Sequence, residues 1–264
     1  MPSTRRLLFI LLALAAATFA QEFDLVLAGG RVIDPESGLD AVRYVGIRGD
    51  KVEAVSALPL SGRATLDVTG LVVAPGFIDL HAHGQLAENY RLQARDGVTT
   101  ALELEIGVNP VAPWYEQRTG RTLINFGASS GHVGATMKVL GDSGDFLPRD
   151  AAMRTRPNAA ETERIAALVR RGLEEGGVGI GFGIAYVPKS SREEIFDLFR
   201  LAASYQTPCF VHMRHAGLLD PGGVLEALQE VLSDALATQA PLHIVHINSS
   251  SGSALPLSLR MIEG

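Results

Sequence analysis

One cysteine, Cys209, occurs in 264 residues, so an intramolecular disulfide is excluded. Stability has to come from core burial and from a metal if one is bound. Basic charge is also in short supply. Lys and Arg number 23 against 29 Asp and Glu, a formal net charge of −6, which argues against nucleic acid as a partner. No internal repeat or low-complexity run stands out. The sequence has one long apolar run, Leu7 to Ala17, and it is too short to span a bilayer as a helix. Arg5 and Arg6 precede that run, and small residues of Thr18-Phe-Ala20 follow it. This is the pattern of a secretory signal peptide over 1–20, cut after Ala20. The expectation is an exported protein, periplasmic or extracellular, with no stable membrane anchor after cleavage. Nothing in the sequence specifies an oligomeric state.

What is present is a globular composition, 47% hydrophobic with 28 glycines and 13 prolines. From Phe23 to about Val73 the pattern is short strands with turns at Pro35–Gly38 and Gly49-Asp50. A β-rich module of this size, assigned to 21–74, is too small to bury much core alone. After Pro75-Gly76 strands alternate with helices. The expected strands are Phe77–His83, Thr99–Glu105, Leu123–Ala128, Val178–Ile184, Cys209–Met213 and Leu242–Ile247. Among the helices, Glu161 to Glu175 carries Ile165, Leu168, Val169 and Leu173 on one face and stops at Gly176-Gly177. Ser190/Glu193 or Ser191/Glu194 form a capping box before another, and Pro221 opens a third that runs to about Thr238. Repeated strand–helix units imply a parallel sheet. Chemically loaded residues recur at strand ends, which favours a (β/α)8 TIM barrel over 75–264, represented by about six of its eight units.

The most informative segment is Ala74-Pro-Gly-Phe-Ile-Asp-Leu-His-Ala-His-Gly84. On a strand, His81 and His83 point to the same face, about 7 Å apart at Cα, and a pair so placed can chelate one divalent cation. Glu103 and Glu105 share a parity on the next strand and both can face the barrel interior. Two acids on an apolar strand are costly if buried unpaired, and a metal would account for them. The alternative is that one faces solvent or pairs with Arg214. His132 follows the third strand, His212 ends the fifth and His246 ends the sixth. His243 has the opposite parity to His246 and is expected to pack away from the site. His215 lies in a loop.

These residues make the chain resemble the amidohydrolase superfamily, and within it most nearly the D-aminoacylase (N-acyl-D-amino-acid deacylase) group. The superfamily pattern is carried by Gly70-Leu-Val-Val-Ala-Pro-Gly-Phe-Ile-Asp-Leu-His-Ala-His83 and the later histidines. The group resemblance rests on Asp96-Gly-Val-Thr-Thr100, Gly131-His132, Gly181-Phe-Gly-Ile-Ala-Tyr-Val-Pro188 and His212-Met-Arg214. It implies a β-sandwich module plus a barrel holding one or two zinc ions, with His81, His83, His212 and His246 as ligands. Hydantoinase-like relatives bridge their metals with a carbamylated lysine on strand 4, but Val178–Ile184 contains no lysine. The D-aminoacylase group uses a cysteine on strand 2, where the ungapped match here is Ile106. Glu105 or Glu103 could supply a carboxylate instead, and Glu105 is preferred because it lies nearer the strand end. The family lysine that helps hold the substrate carboxylate is replaced by Asn248, and the catalytic aspartate of strand 8 would fall beyond Gly264.

The resemblance implies hydrolysis of a linear amide in a small molecule, an N-acyl amino acid or dipeptide, by metal-activated water. His132, Tyr186, Arg214 and Asn248 are the candidates for oxyanion or substrate contacts. Two other readings remain open: a metal-binding fragment without turnover, and a nucleobase-type deaminase. The deaminase reading is disfavoured because His212-Met-Arg-His215 lacks the acid of H-x-x-E.

Overall fold

The computed structural model describes residues 22–215 and 221–264. The expected signal peptide lies outside the described residues. By its contacts the chain divides into two compact units, one ending at Pro75 and the other starting at Gly76.

The first unit is a five-stranded sheet. β1 (Phe23–Asp34) pairs antiparallel with β2 (Leu39–Arg48), which pairs with β3 (Lys51–Ser56). β4 (Gly62–Asp67) and β5 (Val72–Val73) both run parallel to β1. The β2–β3 turn is Gly49-Asp50, with Gly49 at φ +58° as a tight hairpin requires. Phe23, Val26, Val32, Val45 and Val68 are the buried apolar side chains of this unit's core.

The second unit is a curled sheet of six parallel strands in the order β11-β10-β9-β8-β7-β6, half of a (β/α) barrel. They are β6 (Phe77–Asp79), β7 (Val98–Val108), β8 (Asn125–Gly131), β9 (Ile180–Gly183), β10 (Cys209–His212) and β11 (Leu242–Ile244). The helices are α1 (Ala87–Arg95), α2 (Val111–Arg118), α3 (His132–Leu140), α4 (Ala151–Arg154), α5 (Ala159–Glu174), α6 (Arg192–Ser204), α7 (Pro221–Thr238), α8 (Ile247–Ser250) and α9 (Leu255–Glu263). Every strand lies beside its sequence neighbour, as helical crossovers dictate. The main core lies between the sheet and α5, α6 and α7, and Ile165, Val169, Phe182, Ile195, Leu198, Phe199, Val211 and Leu228 are all essentially sealed from solvent. No helix among the described residues is long and apolar enough to cross a membrane.

Several boundaries differ from the sequence reading. α5 begins two residues earlier than expected, because Asn158 caps it and Glu161 reaches back to the Asn158 N–H in a capping box. At α6 the cap is Ser191, which accepts from the Glu194 N–H, but no reciprocal bond forms because the Glu194 carboxylate is engaged elsewhere. β6 ends at Asp79 and β11 at Ile244, so His81, His83 and His246 lie beyond the hydrogen-bonded strands.

Candidate metal centre

The site is assembled on β7. Glu103 and Glu105 are 3% and 2% exposed and point to the concave face of the sheet. The strand can carry them there because its neighbours are cut back to glycine. A Cβ on Gly181 would lie 2.4 Å from Ser129 Oγ, 2.5 Å from Leu104 O and 2.8 Å from Glu105 O. Gly107, at φ +64°, has Ser129 Oγ and its carbonyl at 2.4 and 2.7 Å from where a Cβ would stand. Only glycine satisfies both the backbone angle and the space there.

His81 and His83 reach Glu105 although β6 has ended. The Ala82 N–H still donates to Leu102 O at 3.0 Å, and Ala82 is buried, so the chain keeps strand-like alternation for one more pair. Asp79 Oδ1 accepts the His81 N–H, and Gln85, tied to Tyr90 Oη and to Ala82 O, holds the bend that follows. His246 arrives differently. It sits in the left-handed region at φ 37°, where the chain turns out of β11 into α8. A non-glycine residue there costs of order 1–3 kcal/mol, a strain that functional sites often hold.

Four imidazoles close on the Glu105 carboxylate, two on each oxygen. His81 Nε2 and His83 Nε2 lie 2.7 and 2.9 Å from Oε2. His212 Nδ1 hydrogen-bonds Oε1, and His246 Nε2 is 3.3 Å from the same atom and 3.0 Å from His212 Nδ1. Each remaining ring nitrogen that is partnered has its own anchor. His83 Nδ1 is 2.8 Å from Glu103 Oε2, and His246 Nδ1 is 2.7 Å from Ser250 Oγ.

The electrostatics follow this arrangement. Burial by itself raises the Glu105 carboxyl, but hydrogen bonds from His212, His246 and His83 outweigh it and hold the group well below the usual carboxylate range. Glu103 goes the other way, raised by burial despite the bond to His83. His83, bonded to Glu103 and then Glu105, is raised to about 10. His81 is lowered, chiefly by burial.

Zinc-binding sites are built from these donors, imidazole nitrogen and carboxylate oxygen. One atom each from His81, Glu105 and His246 lies within 4.8 Å of the others. His212 and His246 face one another through ring nitrogens 3.0 Å apart, a contact in which at most one proton fits and whose lone pairs suit a shared cation. The residues present therefore fit a metal.

The other candidates are placed as follows. Tyr186, in a 3-10 turn after β9, has its ring 4.9 Å from that of His212, and burial raises its hydroxyl. Asn248 is exposed on α8, two residues from His246. His132 is not in the site. It is fully buried at the start of α3, with Nε2 2.7 Å from Glu194 Oε1, and it has no access to a substrate. Arg214 is committed as well, donating to Glu230 at 2.8 and 3.1 Å and to the carbonyls of Pro188 and Ser190. The guanidinium clamps the loop after Tyr186 to β10 and has no free fork for a ligand. His243 is exposed beside Phe210, and His215 is exposed.

Two neighbours of the cluster were not singled out by sequence reasoning. Ser250 follows His246 by four residues, a spacing that would have identified it had α8 been recognised as helix. Phe146, whose ring stands 5.4 Å from that of His83, comes from the loop between α3 and α4 and has no local signal.

No family model matches the chain. Among curated proteins it is 32% identical over 257 residues to a D-aminoacylase of Alcaligenes xylosoxydans xylosoxydans, covering 86% of this chain and 51% of that one. It is 31% identical over 237 residues to an N-acyl-D-glutamate deacylase of the same organism, covering 81% and 47%. The chain spans about half the length of the curated relatives it matches. Among solved structures, N-acyl-D-glutamate deacylase from Bordetella bronchiseptica, complexed with zinc and a phosphonate inhibitor, superposes with a TM-score of 0.73 at 24% identity, over 92% of this chain and 56% of that one. A crystal structure of D-aminoacylase, described as defining a novel subset of amidohydrolases, gives 0.67 at 28% identity over 84% and 51%. The resemblance to the amidohydrolase superfamily, and within it to the D-aminoacylase group, therefore stands.

Proposed function

We propose that this chain carries the metal-binding half of a zinc-dependent amidohydrolase that cleaves carbon–nitrogen bonds in N-acyl amino acids or small dipeptides. The observation that carries this reading is the Glu105 carboxylate, with a separate pair of imidazoles on each oxygen. His81 and His83 would hold one cation, His212 and His246 a second, and Glu105 would be shared between them. When bound, zinc supplies Lewis acidity that activates water near neutral pH and polarises an amide carbonyl.

This chain's own residues do the positioning. Glu103 fixes His83 through Nδ1 and so turns Nε2 towards Glu105. Ser250 does the same for His246. Tyr186, held over the His212 ring by the clamped 188–190 loop, is placed to hold or polarise the carbonyl oxygen of a substrate. Asn248, exposed beyond His246, offers a neutral amide to the substrate carboxylate. Export of the protein through residues 1–20 is part of the same proposal and rests on the sequence pattern alone.

The test is metal analysis of the purified chain together with an amide-hydrolysis assay on N-acetyl amino acids of both chiralities. Stoichiometric zinc and turnover abolished by a chelator are expected. Zinc without turnover assigns the chain a metal-binding role only, and folded protein that binds no zinc removes both readings.

A further inference from the structure

Tyr186 reaches the imidazole cluster by its ring. Its side chain lies against Gly183, where a Cβ would stand 2.6 Å from Tyr186 Cδ2. The ring is 4.9 Å from that of His212. Its place there depends on the backbone that carries it. The Val187 N–H donates to Ile184 O at 3.2 Å, and the Ser190 N–H donates to Val187 O at 3.0 Å. Two successive turns therefore join Tyr186 to Ser190, with the Val187 side chain sealed in the core between them.

Ser190 is buried and is gripped from two sides. Its hydroxyl donates to Glu194 Oε1 at 3.1 Å, the oxygen that His132 Nε2 meets at 2.7 Å. Its carbonyl accepts from Arg214 Nη1 at 2.9 Å, and the same nitrogen donates to Pro188 O at 3.2 Å. Arg214 Nε and Nη2 fork onto the two oxygens of Glu230 at 3.1 and 2.8 Å. His132, Glu194, Ser190, Arg214 and Glu230 thus form one chain of polar contacts from α3 to α7, and its two arms meet at Ser190. Arg214 also follows His212 by two residues, so one short segment supplies both an imidazole of the cluster and a tie on Tyr186.

Burying an ion pair gains little stability, because desolvation offsets much of the attraction. What a guanidinium fork supplies is direction, since it fixes the plane and spacing of the groups it joins. We infer that Arg214 and Ser190 are positioning residues for the candidate metal centre: through the 187–190 turns they hold the Tyr186 ring against His212, and Glu230 holds Arg214 to that task. The inference rests on the amidohydrolase reading for the chemistry that Tyr186 serves. Lysine cannot replace this arginine, because one ammonium cannot serve a carboxylate fork and two carbonyls together. A displacement of about 1 Å in a group that meets the substrate can cost about 100-fold in rate.

The full chain is labelled with 3-fluorotyrosine, and its five tyrosines are followed by fluorine NMR, with Tyr186 assigned through Y186F. R214K should shift or broaden the Tyr186 resonance while those of Tyr44, Tyr90 and Tyr115 stay in place and bound zinc is unchanged. E230Q and S190A, each loosening one tie, should move the same resonance by less. In the hydrolysis assay R214K should lower kcat by at least about tenfold and change KM by less than about threefold. A folded R214K chain whose Tyr186 resonance matches the wild type overturns the inference. So does one in which all the tyrosine resonances move together, the sign of general loosening. If R214K does not fold, E230Q and S190A decide by the same two criteria. A wild-type chain without turnover sinks the hydrolase reading, and the fluorine spectra still decide whether Arg214 and Ser190 position Tyr186.

Discussion

Glu103 and Glu105 are two residues apart on one strand, yet they do different work. Glu105 meets four imidazole nitrogens, whereas Glu103 meets one ring through the nitrogen turned away from the cluster. E105A should therefore abolish zinc retention, while E103Q should weaken it about 10–100-fold, the usual effect of losing a carboxylate behind a ligand histidine. Competition against a chromogenic chelator measures both. If the two substitutions have equal effects, the roles given to the two acids are wrong. A third acid bears on pH. Burial, with Glu230 nearby, raises Asp234 on α7 to about 6, and its Oδ2 is buried without a partner. The folded state then holds this proton more tightly than the unfolded chain does, whose carboxylate titrates near 3.9. The sign is a contribution to stability that is complete below the unfolded value and lost as pH rises through about 6. D234N should raise the urea midpoint at pH 7.5 and leave it nearly unchanged at pH 4.

At the scale of elements, the face that carries the imidazole cluster depends on links between secondary structures. The fully buried pair His132–Glu194 joins the start of α3 to the start of α6, and Ser190 Oγ adds a bond to the same carboxylate oxygen. Arg214 ties the end of β10 to Glu230 on α7 and to the loop after Tyr186. Removing one member of a sealed ionisable pair breaks the pairing of the other in the interior, at a cost of about 3–5 kcal/mol. H132A should lose about that much in urea unfolding, and H132A/E194A should lose less than the sum of the two single variants. Additive losses would show that the two side chains do not depend on each other. The elements themselves were largely readable, since α5 and α6 declare their faces by spacing and α6 offers Ser191 as its cap, although the Asn158 cap of α5 was not read from the sequence. The ends of β6 and β11 were not readable, because where a strand stops is decided by its neighbour's register and not by its own residues.

For the whole molecule, cations held by residues of β7, β10 and the segments after β6 and β11, with Glu105 common to them, would cross-link both edges of the sheet. A ligand present at a hundred times its Kd adds about 2.7 kcal/mol to the state that binds it. At about 2–4 °C per kcal/mol for a chain of this size, zinc should raise the melting temperature by about 5–10 °C and a chelator should reverse the gain. Scanning calorimetry with and without chelator checks this, and a melting temperature indifferent to zinc would show that the folded chain holds no such cross-link.

The linear sequence was enough to establish the alternation of strands and helices, the parallel sheet, and the histidines and acids worth following. These depend on periodicity and on the cost of burying charge, and both are local. The sequence also offered Tyr186 as a candidate for an oxyanion or substrate contact, and the structure sets its ring 4.9 Å from that of His212. The sequence favoured Glu105 over Glu103 only as the acid nearer the strand end, whereas the tertiary structure shows which carboxylate the far strands reach. The tertiary structure also moved His132 and Arg214 from substrate contacts to structural ties, since their partners, Glu194 and Glu230, lie 62 and 16 residues away and meet them only in three dimensions. Phe146 belongs to the same class: its place beside His83 comes from a loop folded over Asp142, which no pattern along the chain announces.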